Sequence, residues 1–362
     1  MFMPRSVGLV VALTPIAASG AEFMWNFNAG DLSTTSQVGG TAQLDYFNFE
    51  TQAVTQFGNT ASNPNVPDLP DGPASYVFTG VIPNDGVGGY GLSYTGVTGN
   101  GGGIYVNDFT FIFDVFIPTL NWTPFFNTNE SHNNDADWYV APDGRLGIGS
   151  IGYAPAGTVA SGEWTRLAFV RDRTNNIVKY YKNGVEVFSG AAGSVDGRFS
   201  LYTSSDGSGP SPASNSLIIY GEGDTSGNYT NDIYTSSIFF ADSALSPLKI
   251  GAMGGPRAAG IALPLLGDID GSGQVNNQDI APFVEALTNT GGSLSAYVQY
   301  TADVNGDGSV NNQDIAPFVA LLTTPGLLQG SDPELAPLMS LVPEPASLSL
   351  LALACLPLRR RR

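Results

Sequence analysis

Phe109-Thr-Phe-Ile-Phe-Asp-Val-Phe-Ile117 places Phe109, Phe111, Phe113, Val115 and Ile117 on one side of an extended chain, because successive strand side chains point to opposite faces. The other side carries Thr110, Ile112, Asp114 and Phe116, so it is also partly apolar. Such a strand belongs in the middle of one sheet packed on another and partly covered behind. Working outward, residues 164–171 and 177–181 read as further strands. The second runs into Lys182-Asn-Gly-Val185, where Asn-Gly supplies the positive φ angles of a type I′ hairpin. From Glu22 to Gly255, short strand-like runs are separated by Gly, Asn, Asp and Pro clusters, with no sustained 3.6-residue periodicity before Ala241. About fifteen short strands with regular turns predict an all-β two-sheet sandwich.

The chain has 362 residues, room for one large domain and one small one. Only 13% of residues are charged, and the formal net charge is −18. Arg5 lies near the N-terminus and Arg359–Arg362 end the chain, so removing both ends leaves nine basic residues against up to 32 acidic ones, about −23. A surface of that sign repels nucleic acid and anionic lipid and suits divalent cations.

Residues 1–21 read as a secretory signal: Arg5 in a short basic start, the apolar stretch Val7–Ala18, then Ser19-Gly20-Ala21 with small residues at −3 and −1. The single cysteine, Cys355, falls in a C-terminal segment expected to be removed, which leaves no disulfide in the mature chain. At that end Val342-Pro-Glu-Pro345 precedes the apolar run Ala346–Leu358 and the four arginines. As a helix the run covers about 20 Å against a hydrocarbon core of about 30 Å, so a permanent anchor is not expected. The order Pro-Glu-Pro, apolar run, Arg cluster resembles the PEP-CTERM sorting signal. That resemblance implies export, transient membrane lodging, processing by exosortase-type machinery, and a place at the cell surface, outer envelope or extracellular matrix.

Near the C-terminus, Asp268-Ile-Asp-Gly-Ser-Gly-Gln-Val-Asn-Asn-Gln-Asp279 and Asp303-Val-Asn-Gly-Asp-Gly-Ser-Val-Asn-Asn-Gln-Asp314 repeat one acidic pattern, and Val275–Val284 recurs letter for letter at Val310–Val319. A helix–loop–helix calcium loop takes oxygen ligands from positions 1, 3, 5, 7, 9 and 12, with Gly at 6 for the turn. The first copy offers Asp268, Asp270, Ser272, the Gln274 carbonyl, Asn276 and Asp279, with Gly273 at the turn. The second offers Asp303, Asn305, Asp307, the Ser309 carbonyl, Asn311 and Asp314, with Gly308 at the turn. Two calcium ions are therefore expected. Ser272 replaces an acid at position 5, so the first site is expected to be the weaker. Ile280, Phe283, Val284 and Leu287, and their counterparts Ile315, Phe318, Val319 and Leu322, stand at helical spacing. Paired helices would bury these stripes as one small core, and crowded carboxylates make metal binding a driver of folding.

Three stretches in the large domain carry a further likeness. Glu163-Trp-Thr-Arg-Leu-Ala-Phe-Val170, Tyr180-Tyr-Lys-Asn-Gly-Val-Glu-Val187 and Ile238-Phe-Phe-Ala-Asp-Ser-Ala-Leu-Ser-Pro-Leu-Lys-Ile-Gly251 resemble the strand–hairpin core and the closing strand and helix of laminin-G-like, concanavalin A-like jelly rolls. The duplicated loop-plus-helix resembles type I dockerins, including Asp at position 12. Those modules dock onto cohesin domains, and the resemblance implies docking residues at Asn277, Gln278, Asn312 and Gln313. The helices lack the basic residues that cellulosomal dockerins often use, which points to a cohesin-like or other wall-bound partner outside cellulosomes. A calcium-stabilised spacer is the alternative reading of the pair.

The expected organisation is a signal (1–21), a sandwich (22–255), a linker (256–266), a calcium module (267–325), a spacer (326–341) and a sorting signal (342–362). Retaining glucanases of the jelly-roll superfamily use Glu-x-Asp-x-x-Glu. This chain has no such run, only Glu222-Gly-Asp224 without the second Glu. His132, the one histidine, sits in a polar loop with no nucleophile elbow to serve. The expectation is a non-catalytic recognition protein for glycan or protein, with a polysaccharide-acting enzyme or a purely structural envelope component as alternatives. Trp122 and Trp138 flank that loop and are candidates to stack on an extracellular glycan, while Asp135 and Asp137 within or beside it are candidates for a rim calcium site of the kind laminin-G-like domains can carry; together they form the expected ligand rim.

Overall fold

Every residue of Phe109–Phe116 is buried, on both faces of its sheet. The computed structural model of the chain describes residues 20–83, 88–128, 137–202, 217–221, 230–289 and 292–323. The strands run in chain order. β1 (Glu22–Trp25), β2 (Ser36–Val38), β3 (Thr41–Tyr46), β4 (Thr55–Asn59), β5 (Ser75–Thr79) and β6 (Tyr90–Thr95) precede the long β7 (Phe109–Phe116). There follow β8 (Thr123–Asn127), β9 (Asp137–Val140), β10 (Leu146–Ile148) and β11 (Gly152–Tyr153). The last five are β12 (Trp164–Asp172), β13 (Ile177–Lys182), β14 (Val185–Ala191), β15 (Leu217–Ile219) and β16 (Ile233–Ala241).

These strands form two antiparallel sheets. The larger runs β14-β13-β12-β7-β16-β1-β2, with β5 also paired to β16 and β4 to β5. The smaller runs β11-β10-β9-β8-β15-β6-β3. The inner faces share one aromatic core in which Phe109, Phe111, Phe113, Phe125, Phe126, Trp138, Phe169 and Tyr180 interdigitate. Phe111 and Phe126 stack at 5.1 Å, joining β7 of one sheet to β8 of the other. Asn183 and Gly184 have φ of 50° and 82° between β13 and β14, the backbone a type I′ turn needs.

The outer face of the larger sheet is covered as well. Helix α2 (Pro247–Met253) follows the last strand, started by the Ser246 side chain, which accepts the Lys249 amide, and by Pro247 in its first turn. Its Ile250 and Met253 pack with Ile261 onto Ile112, Val170 and Phe239. Phe116 meets Trp164, Val66 and Leu69 in a separate cluster. Asp114, the acid in the middle of β7, is fully buried and accepts both Nε (2.6 Å) and an Nη (2.7 Å) of Arg166. The other Nη of Arg166 donates to the Met253 carbonyl at 2.8 Å, so the ion pair also ties down the end of α2. Residues 258–261 lie against this layer, with the Ala258 amide donating to Asp71 at 2.6 Å.

One short helix departs from the all-strand expectation before Ala241. Helix α1 (Phe49–Val54) is six residues long and is held by Asn48, whose side chain accepts the Thr51 amide. It has no apolar stripe to betray it, and its first residue, Phe49, is exposed. No described helix is long and apolar enough to cross a membrane. Residues 1–19 of the expected signal, residues 324–362, His132, Asp135 and Glu222–Asp224 lie outside the described residues.

Candidate metal centre

Three helices build the C-terminal unit: α3 (Ile280–Thr288), α4 (Ala296–Ala302) and α5 (Ile315–Thr323). A 3-10 turn precedes α3 (Asn277–Asp279) and another precedes α5 (Asn312–Asp314). Pro282 and Pro317 fall within the first turns, where the missing amide hydrogen costs nothing. Phe283 and Phe318 stack face to face at 4.1 Å, and Ile269, Ala286, Ala302, Val304 and Leu321 close around them.

The two acidic loops wind in the same way. Asp268 accepts the Ser272 and Gly273 amides, both at 2.9 Å. Its counterpart Asp303 accepts Asp307 at 3.1 Å and Gly308 at 2.8 Å. Gly273 and Gly308 have φ of 82° and 87°, a left-handed turn that a side chain would strain. At the far end of each loop stands a capping box. Asn276 accepts the Gln278 amide and Asp279 returns to the Asn276 amide at 2.9 Å. Asn311, Gln313 and Asp314 repeat the arrangement. The other oxygen of Asp279 accepts the Ile269 (2.8 Å) and Asp270 (3.1 Å) amides, so position 12 ties the loop start to the helix start.

The donors suit a hard cation. The carboxylates of Asp268, Asp270 and Asp279 each bring an oxygen within 4.8 Å of the others. Asp268, Asp279, Asp303 and Asp314 are buried at the first and last positions of their loops. Burial raises the Asp268 carboxyl above its ordinary value, with Asp279 adding to the rise and the Gly273 amide opposing it. Burial likewise raises Asp303 and Asp314. Asp270, in contrast, is held low by hydrogen bonds from Ser272. Like charges gathered this way are unfavourable until a cation sits among them. All the side-chain and carbonyl donors are oxygen, the set that calcium takes. In that role Asp268, Asp270, Ser272, Gln274, Asn276 and Asp279 would hold one ion and Asp303, Asn305, Asp307, Ser309, Asn311 and Asp314 the other.

Around these loops, Asn277, Gln278, Asn312 and Gln313 are all exposed. So are two apolar side chains of α3, Ile280 (45%) and Val284 (46%). Helix α4 packs against α2 of the sandwich, where a Cβ on Gly251 would meet that of Ala296 at 3.3 Å. From the same helix Tyr297 reaches the first loop through Asp268. No sequence pattern marks that residue, which lies 29 positions from its partner.

Residues 266–318 match the dockerin type I domain. Dockerins of this type bind calcium and attach to cohesin partners. No curated protein matches the chain. Among solved structures, the chain is similar to domain 4 of AbnA, a GH43 extracellular arabinanase from Geobacillus stearothermophilus, solved with arabinotriose (19% identity, 64% of this chain and 97% of that one, TM-score 0.39). It is also similar to the binding domain of Paraclostridial Mosquitocidal Protein 1 (13% identity, 57% and 46%, TM-score 0.36). A third is a Trypanosoma rangeli sialidase (13% identity, 48% and 31%, TM-score 0.29). The chain thus spans less than half the length of the latter two.

The expected ligand rim divides. Trp138 is 0% exposed and packs among Phe113, Phe125, Phe126, Phe169 and Tyr180, so it is a core residue and not a rim residue. The reason is strand alternation: Trp138 and Val140 point inward from β9 and Tyr139 points out. Asp137 is buried at the start of the same strand. Trp122 is half-exposed, just ahead of β8, and meets Tyr139 edge-on at 6.1 Å. The Arg145 guanidinium lies 5.9 Å from the Trp122 ring and 4.8 Å from that of Tyr153. Sequence reasoning missed Arg145 and Tyr153, because only strand pairing brings them beside Trp122.

Proposed function

We propose that this is an exported, non-catalytic protein of the cell surface, outer envelope or extracellular matrix. Its C-terminal unit attaches it, in a calcium-dependent way, to a cohesin-like or other wall-bound partner. Its sandwich recognises an extracellular glycan or protein. The observation that carries the reading is the pair of acidic loops, each closed by a position-12 aspartate that caps the helix behind it. Calcium neutralises the loops and thereby sets α3 and α5, whose exposed loop ends hold Asn277, Gln278, Asn312 and Gln313 for the partner.

For the sandwich, support comes from Trp122, Arg145 and Tyr153, an aromatic and cationic group on the outer surface near the edge of the smaller sheet. Export rests on the N-terminal leader and processing on the C-terminal Pro-Glu-Pro segment, with the membrane only a transient host. The test is a calcium titration of the chelator-treated full chain followed by helicity. A saturable rise with two ions bound is expected; an unchanged signal with no ion taken up would sink the proposal. A polysaccharide panel then separates recognition from turnover. Products that vanish with one carboxylate substitution would establish an enzyme instead.

A further inference from the structure

Ala21 is 2% exposed and belongs to the core between the sheets. Its carbonyl accepts the Asp242 amide at 3.1 Å, extending the register in which Glu22 faces Ala241. The Asp242 side chain folds back over the same stretch. A Cβ built on Gly20 would meet Asp242 Oδ1, so the carboxylate lies directly against the Gly20 backbone. That oxygen is enclosed and has no hydrogen-bond partner among the described residues. Burial pushes the carboxyl up to about 6, the Ala21 and Asp242 amides oppose the rise, and no cationic side chain among the described residues contributes. A desolvated carboxylate without a counter-charge is unfavourable, so the position calls for a cation.

We propose that the leader is cleaved ahead of Ala21, and that the α-ammonium so created, on Gly20 or Ala21, is the counter-ion of Asp242. The inference rests on residues 1–21 containing a secretory leader but moves its end. Cleavage behind Ala21 would discard a core side chain and the carbonyl that holds the Asp242 amide. Small residues stand equally at −3 and −1 for cuts after Ser19 (Ala17, Ser19) and after Gly20 (Ala18, Gly20). The reaction is hydrolysis by a signal peptidase. Water gives its hydroxyl to the acyl carbon of residue 19 or 20, and the next residue's nitrogen leaves as an amine that is protonated at neutral pH. Processing then supplies the charge that the described residues do not place beside Asp242, and the sandwich locks its first strand by an ion pair.

Intact mass and N-terminal sequencing of the full chain exported by a secreting host test the first half. A start at Gly20 or Ala21 is expected. A start at Glu22 overturns this inference and leaves the export reading standing, whereas a retained leader overturns both. The second half is read from the rate of reductive methylation of the α-amine at neutral pH. The processed wild-type chain should react about tenfold more slowly than Asp242→Asn, as expected for an amine pKa raised by about one unit. Equal rates overturn the ion pair. If Asp242→Asn does not fold, a chain starting at Glu22 replaces it: its amine should react about tenfold faster than that of the processed wild-type chain, and an equal rate overturns the ion pair.

Discussion

The Tyr297 hydroxyl donates to both the backbone oxygen (3.0 Å) and Oδ2 (3.2 Å) of Asp268. This joins the first acidic loop to α4, the helix that also lies against α2 of the sandwich. No such bond to Asp303 is present among the described residues, so the two nearly identical loops sit in different surroundings. Proximity to Asp268 and burial push the Tyr297 hydroxyl well above its ordinary range, keeping it a donor throughout the working pH range, with burial the larger cause. A hydrogen bond to a charged group contributes about 1.5–3 kcal/mol. Tyr297→Phe should therefore weaken calcium binding at the first loop by roughly tenfold and leave the second unchanged. Calorimetry resolving two sites checks this; equal losses at both would refute the coupling.

Asp279 is fully buried and accepts three backbone amides, those of Ile269, Asp270 and Asn276. Asp279→Ala strands all three. The C-terminal unit should lose about 2–4 kcal/mol, both in calcium and in chelator, because the amides are orphaned whether or not an ion is bound. Thermal melts followed by helicity in the two conditions provide the comparison. A loss seen only in calcium would mean that Asp279 acts purely as a ligand.

Arg166 and Asp114 form a two-pronged pair in the layer between the larger sheet and α2. Removing one partner leaves the other charge buried, at a cost of about 3–5 kcal/mol. Arg166→Met should show that loss in chemical denaturation. The double variant Arg166→Met/Asp114→Leu should recover most of it, since neither charge then remains. Additive losses would show that the pair contributes beyond mutual neutralisation, for instance through the Met253 carbonyl.

Gly251 lets α2 and α4 approach closely. Gly251→Leu should separate the C-terminal unit from the sandwich. The expected outcome is a larger radius of gyration in small-angle scattering and faster proteolysis around residues 262–266, with calcium affinity retained. An unchanged scattering profile would show that the interface tolerates the side chain.

Trp122 and Trp138 should behave as opposites. Trp138→Ala removes a core ring and should cost about 3–5 kcal/mol. Trp122→Ala should leave stability within about 1 kcal/mol and abolish any saturable polysaccharide binding. Binding that survives Trp122→Ala but not Arg145→Ala would move recognition to the Arg145–Tyr153 pair.

The alternation in Phe109–Phe116 was enough to place β7 at the centre of a sheet covered on both sides, because burial follows side-chain direction and a strand has period two. The two acidic loops and the helices behind them were equally legible, since the loop pattern is counted along one continuous segment and each helix is started by its own local cap. Trp138 was misread because a polar loop hides how the following strand alternates, and its side chain turns inward once β9 pairs with β8. Tyr297 against Asp268, Arg145 against Trp122, Asp242 against Gly20 and Gly251 against Ala296 left no trace in the letters. Each joins segments far apart in sequence, and only the packing of sheets and helices sets such distances. Sequence determined the local periods and loop chemistry of this protein, and tertiary structure decided which distant groups meet.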